Sequence, residues 1–106
     1  MSIKLTDKGN VYTLEYTKDT IRQMERLGFN IYEYGQRPIT DTEQLFFGAF
    51  LSKHHQMKND KKAEIFNRIA KKSELLGKLY SMYVEQVTSL SDEPEETEGN
   101  ATWEEN

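Results

Sequence analysis

The chain is 106 residues long, 36% hydrophobic and 30% charged, with no cysteine and a net charge of −4. That is one domain's worth of sequence, and it excludes disulfides and thiolate metal sites. No stretch approaches the roughly 18 apolar residues of a membrane span, and MSIKLTDKGN has no apolar core of a secretion signal, so a cytoplasmic protein is the expectation.

The charge is unevenly spread. Residues 91–106, SDEPEETEGNATWEEN, hold seven acids and no base, which leaves 14 bases against 11 acids, a net of +3, in residues 1–90. Trp103 is the only large apolar residue of that tail, too little to offset the entropy of ordering it, so the composition predicts disorder. The expected organisation is a folded domain over 1–90 and an acidic tail over 91–106.

From the N-terminus, SIKL and VYTLEY flank TDKGN. Tyr12, Leu14 and Tyr16 alternate with Val11, Thr13 and Glu15, the period of a half-buried strand. Asp7, Gly9 and Asn10 supply turn chemistry, with Gly9 in the left-handed region, so a β-hairpin is predicted over residues 2–16. Two strands are marginal alone, and the Tyr12/Leu14/Tyr16 face is expected to lie on helices.

A helix follows at once. Thr17 can cap it, Asp19 suits its positive end, and Ile21, Met24 and Leu27 recur at helical spacing. Gly28 is placed to end it, with Phe29 folding back in a Schellman contact. The stretch NIYEYGQRP reads as irregular, with Tyr32 and Tyr34 covering an edge of the core.

Thr40 and Glu43 match a capping box and predict a second helix starting near Asp41. Its apolar positions from Leu45 to Leu51 cover about 240° of the circumference, against roughly 100° for an ordinary surface helix. Such a helix is central, or part of it is covered by another molecule. Residues 59–72 predict a third helix, with Ala63, Ile65, Phe66, Ile69 and Ala70 on one face and Lys61, Arg68, Lys71 and Lys72 on the other. Ser73 is placed to cap a fourth, whose Leu75, Leu76, Leu79, Tyr80, Met82, Tyr83, Val87 and Leu90 fall within an arc of about 160°. The fold class expected is α+β and mostly helical: an N-terminal hairpin packed on a bundle of about four helices, then a disordered acidic C-terminal tail.

Catalytic patterns are missing. Neither G-x-S-x-G nor S-x-x-K occurs, no Gly-rich phosphate cradle is present, and paired carboxylates occur only in the tail. His54 and His55 are adjacent and diverge by about 100° on a helix, so they cannot clasp a metal together. They read as helix-end residues, and neither an enzyme nor a cofactor is expected. The bases Lys53, Lys58, Lys61, Lys62, Arg68, Lys71 and Lys72 are either a phosphate-contacting face or the solvated face of amphipathic helices. The acidic balance of the chain favours the second reading, so no nucleic-acid partner is expected. Trp103, flanked by acids, is either an aromatic anchor for a partner pocket or a residue without a role.

The order of these features has a counterpart. The hairpin leading into YTKDTIRQMERLGFNI, then RPIT, the oily LFFGAFLSKH, a helix ending in LYSMYVEQV and an acidic tail closing in EGNATWE resemble the small tail assembly chaperones of siphophages and prophages in Gram-positive bacteria. The resemblance spans nearly the whole chain and rests on order and local wording. It implies a non-enzymatic holding role in the host cytoplasm. Such proteins coat the long, hydrophobic tape measure protein until tail tube subunits polymerise around it. It also implies a frameshifted longer product in many relatives, of which this sequence would be the short form. Under that implication Phe47 and Leu51, with Phe50, are the expected partner or self-association contacts. The alternative is a small adaptor that docks through Trp103.

Overall fold

A computed structural model describes residues 1–89 and Glu104. The predicted acidic tail, with Trp103 and Leu90, lies outside the described residues. The described fold is the α+β class expected, an N-terminal hairpin followed by four helices.

The hairpin pairs β1 (Ile3–Asp7) with β2 (Asn10–Leu14) in antiparallel register, Asp7 opposite Asn10 and Ile3 opposite Leu14. Its two-residue turn has positive φ at both Lys8 (49°) and Gly9 (82°), the type I′ geometry whose twist matches paired strands. Leu5, Tyr12, Leu14 and Tyr16 face inward, and Val11 faces solvent. At the tip, the Arg68 guanidinium donates twice to the Asp7 carboxylate, at 2.8 and 2.7 Å, and holds that carboxyl below its usual range.

Helix α1 (Lys18–Arg26) starts on a reciprocal capping box between Thr17 and Thr20. It ends as the sequence reading has it. The Phe29 N–H reaches the Met24 carbonyl and the Gly28 N–H the Glu25 carbonyl, both at 3.0 Å, with Gly28 at φ 97°. Ile21 and Met24 are buried, but Leu27, one further step around the helix, is 73% exposed. In the following single 3₁₀ turn (Ile31–Glu33), Ile31 turns inward and Tyr32 stands 86% exposed. Of the two tyrosines expected over the core edge, only Tyr34 packs there, against Phe29 and Tyr80.

Helix α2 spans Pro38–Gly48 and differs from expectation at both ends. It begins at Pro38, three residues before Asp41, because proline at the first helical position is preset in φ and forfeits only an N–H that would be orphaned anyway. Neither Thr40 nor Glu43 forms the expected capping box. Asp41, buried, reaches back instead and accepts from the N–H groups of Gly35 and Arg37 at 3.0 Å each. Burial raises its carboxyl, but those bonds and the Arg37 guanidinium outweigh it and leave the group below its ordinary value. At the other end the helix stops at Gly48 and tightens into successive three-residue turns through Leu51. His54 and His55 therefore lie beyond the helix; the His54 ring accepts the Thr13 N–H at 3.0 Å through Nε2.

Helix α3 (Asn59–Arg68) is shorter than predicted, because Ile69 turns extended and Lys71 takes φ 52°. Helix α4 (Lys72–Ser89) starts there, with the Lys71 carbonyl accepting from Leu75, so Ser73 lies inside the helix and caps nothing. Leu79, Met82 and Tyr83 enter the core, and Leu75, Leu76 and Val87 pack on its rim. Aromatic edges meet across the interior: Tyr83 contacts Tyr16 and Phe29, with ring centroids 5.2 Å apart in each pair.

Helix α2 packs against α1, α3 and α4. Its contact with α1 is close enough that a methyl group on Gly48 would collide with the Met24 side chain. Gly48→Ala should therefore lower stability by about 1–3 kcal/mol despite alanine's better helix propensity. The loss should shrink when Met24 is also cut to Ala, which denaturant unfolding of the double-mutant cycle measures. Asp41→Asn should remove part of the acid sensitivity. A depressed folded pKa stabilises above the unfolded value and is lost as pH falls through the folded one, so the native chain should weaken more than the variant below about pH 4.

Candidate functional site

The seam between α1 and α2 opens into a small cleft of about 90 Å³, walled by Met24, Leu27, Phe29, Phe47, Gly48 and Leu51 and rimmed by Gln44, Asn59 and Lys62. Small-molecule pockets start near 300 Å³, so this cleft has room for a single apolar side chain. The local sequence explains its shape. Gly48 lets α1 approach, the Schellman turn brings Phe29 beneath α1, and Leu27 is left projecting at the mouth. Gln44 bridges the two helices, donating to the Leu27 carbonyl at 3.3 Å and accepting from Arg37 at 3.2 Å.

The expected contact residues divide. Phe47 and Leu51, four apart, are brought together in the cleft wall and remain partly exposed. Phe50 is not a surface contact. At 0% exposure it lies in the core against Tyr12 and Phe46, because the chain tightens after Gly48 and swings that ring inward. Trp103 lies outside the described residues.

Two participants escaped the sequence reading. Leu27 recurs at the helical spacing of the inward face of α1, yet it stands exposed. Lys62, grouped in the sequence with the bases of a solvated or phosphate-contacting face, is instead only 2% exposed. Its position was legible: Lys62, Ile65, Phe66 and Ile69 follow the i, i+3, i+4, i+7 pattern of one buried stripe. The Lys62 ammonium donates to the Phe47 carbonyl at 3.2 Å and lies 5.8 Å over the Phe50 ring. There it meets the negative end of the α2 dipole, which favours a cation. Burial nevertheless pulls its pKa below the ordinary lysine value.

Other bases of the same stretch are engaged within the domain: Arg68 pairs with Asp7, Lys53 lies 3.7 Å from Glu15, and Lys72 sits 4.5 Å over the Phe66 ring. Among the described residues, no three His, Asp or Glu side chains converge as a metal site, and no helix is long and apolar enough to cross a membrane. What the cleft presents is an apolar hollow beside one buried ammonium.

The chain belongs to the family described as domain of unknown function DUF5055, whose model matches residues 1–106. No curated protein and no solved structure matches it.

Because the folded pKa of Lys62 lies below the unfolded one, the burial cost is carried in full at neutral pH, where both states are charged. It is relieved as the folded group loses its proton first, on the approach to about pH 10.4. Lys62→Met should stay within about 1 kcal/mol of the native chain at pH 7, since removing a buried charge offsets the lost hydrogen bond. The native chain should gain stability relative to that variant as the pH rises toward about pH 10.4, measured by urea unfolding at each pH.

Proposed function

We propose that this DUF5055 chain is a non-enzymatic holding protein of phage tail morphogenesis, a tail assembly chaperone that shelters apolar stretches of a tape measure protein in the host cytoplasm. The observation that carries the reading is the cleft itself: exposed Leu27 at its mouth and partly exposed Phe47 and Leu51 in its wall, on a domain whose other large rings along α2 are enclosed. The likeness in feature order to the small tail assembly chaperones supplies the client.

The dimensions suit that role. An amphipathic client helix presents apolar side chains at i, i+3, i+4 and i+7, and one of them fits a hollow of about 90 Å³ with Leu27 against its neighbour. Each such contact is weak. A long client engages many copies, and their contacts add by avidity, aided by any association between neighbouring copies or with tube subunits. Weak individual holding also lets the polymerising tube displace the copies one after another. The net acidic chain, at −4, keeps a protein with an apolar hollow soluble.

The test is co-expression with an apolar segment of the tape measure protein, read as the fraction of that segment in the soluble lysate. The native chain should raise that fraction, and Leu27→Glu should abolish the gain. Because Leu27 is exposed, the substitution should leave stability within about 0.5 kcal/mol. Undiminished holding by Leu27→Glu, or no gain from the native chain, would sink the proposal. Loss only on deleting residues 91–106 would favour the Trp103 adaptor instead.

A further inference from the structure

The two strands leave the hairpin with two edges, and among the described residues only one is covered. Along β2 the Thr13 N–H donates to His54 and the Glu15 N–H to the Ala49 carbonyl, at 3.0 Å each. Since the main-chain N–H of Thr13 points away from β1, the main-chain groups of its partner Lys4 point away from β2, and so do those of Thr6 two residues on, while the Lys4 ammonium reaches the Thr13 hydroxyl across the pair. No hydrogen bond among the described residues reaches the main-chain groups of Lys4 or Thr6. Beside this free edge runs an open groove of about 330 Å³, whose far wall is Ile69, Lys71, Leu75 and Lys78. Lysines 4, 71 and 78 outnumber the one acid in its lining, Glu74. Neither Lys71 nor Lys78 pairs with a carboxylate among the described residues.

We infer that this groove is the docking site of the chain's own C-terminal segment, residues 90–106, laid back along β1 with its carboxylates on Lys71 and Lys78 and its indole on the apolar wall. Three observations support that occupant over any other. The segment holds seven acids, no base and the protein's only tryptophan, a composition complementary to an apolar wall studded with lysines. Its point of attachment is on the correct side: Ser89, the last residue of α4, and Met1 line one hollow beside the start of β1. And it is long enough. Lys71 lies about 27 Å back along α4 from Ser89, while 17 residues extend up to about 56 Å, which leaves slack for a turn and brings Trp103 to Ile69 and Leu75. An extended chain there can also hydrogen-bond to Lys4 and Thr6, capping an edge that would otherwise recruit a strand from another molecule. The inference is independent of the holding role, because it concerns a different face and has its own readout.

The single tryptophan makes the test selective. In the full chain, Trp103 fluorescence should be blue-shifted and several-fold less accessible to acrylamide than in a free peptide of residues 90–106. Raising the salt to about 1 M, where the screening length falls to about 3 Å, should return it to the peptide values. So should the Lys71→Glu/Lys78→Glu variant with its helical circular dichroism unchanged, whereas Lys18→Glu/Lys58→Glu should have no effect. Peptide-like emission in the unmodified chain overturns the inference, as does protection that neither salt nor the Lys71/Lys78 variant removes. Equal release by the Lys18/Lys58 variant overturns the groove assignment, and protection that grows with protein concentration assigns the groove to a second copy instead.

Discussion

When α2 unwinds at Gly48, its last carbonyls lose their helical partners inside a water-poor core, and each needs a donor. All six from Leu45 to Phe50 find one. Three-residue turns and the His54 N–H serve Phe46, Phe47, Gly48 and Phe50. The Tyr16 hydroxyl donates to Leu45 at 2.6 Å, the Glu15 N–H donates to Ala49, and the Lys62 ammonium adds a second bond at Phe47. Those outside donors come from the end of the hairpin and the first turns of α3. Satisfying one helix terminus therefore fixes how the hairpin and α3 sit on α2, and the rest of the core fills around that junction.

The same junction shapes both the cleft and the exposed edge of the hairpin. Stopping α2 early turns Phe50 inward and leaves Phe47 and Leu51 at the surface, with Gly48 drawing α1 close enough to form the cleft. It also lays the segment after α2 along the outer edge of β2, through Ala49 and His54, so that among the described residues it is β1 that keeps a free edge. The junction includes a buried ammonium that a well-packed apolar side chain could replace at little loss of stability.

Much of the fold was legible in particular residues. The Lys8-Gly9 turn, the Thr17 cap, the Gly28–Phe29 reversal and the inward stripe of α4 all lie in interactions among residues a few positions apart, which sequence displays directly. The 240° apolar arc correctly marked α2 as the element with neighbours on several sides. Its breakdown into core and surface was not legible, because the arc assumed a helix continuing past Gly48. Lys62 was legible as a member of a buried stripe, because a lysine's long apolar stem can join such a stripe while its ammonium finds an acceptor.

The sequence by itself determined the element types, the hairpin turn, the caps of α1 and the separation of a basic body from an acidic tail, since each follows from local backbone preference or composition. Only the tertiary structure decided where α2 starts and stops, which of Phe47, Phe50 and Leu51 meets solvent, and which edge of the hairpin stays open. Those outcomes depend on donors and close approaches supplied by Tyr16, Met24, Asp41, His54 and Lys62, and contacts that far apart along the chain exist only once it has folded.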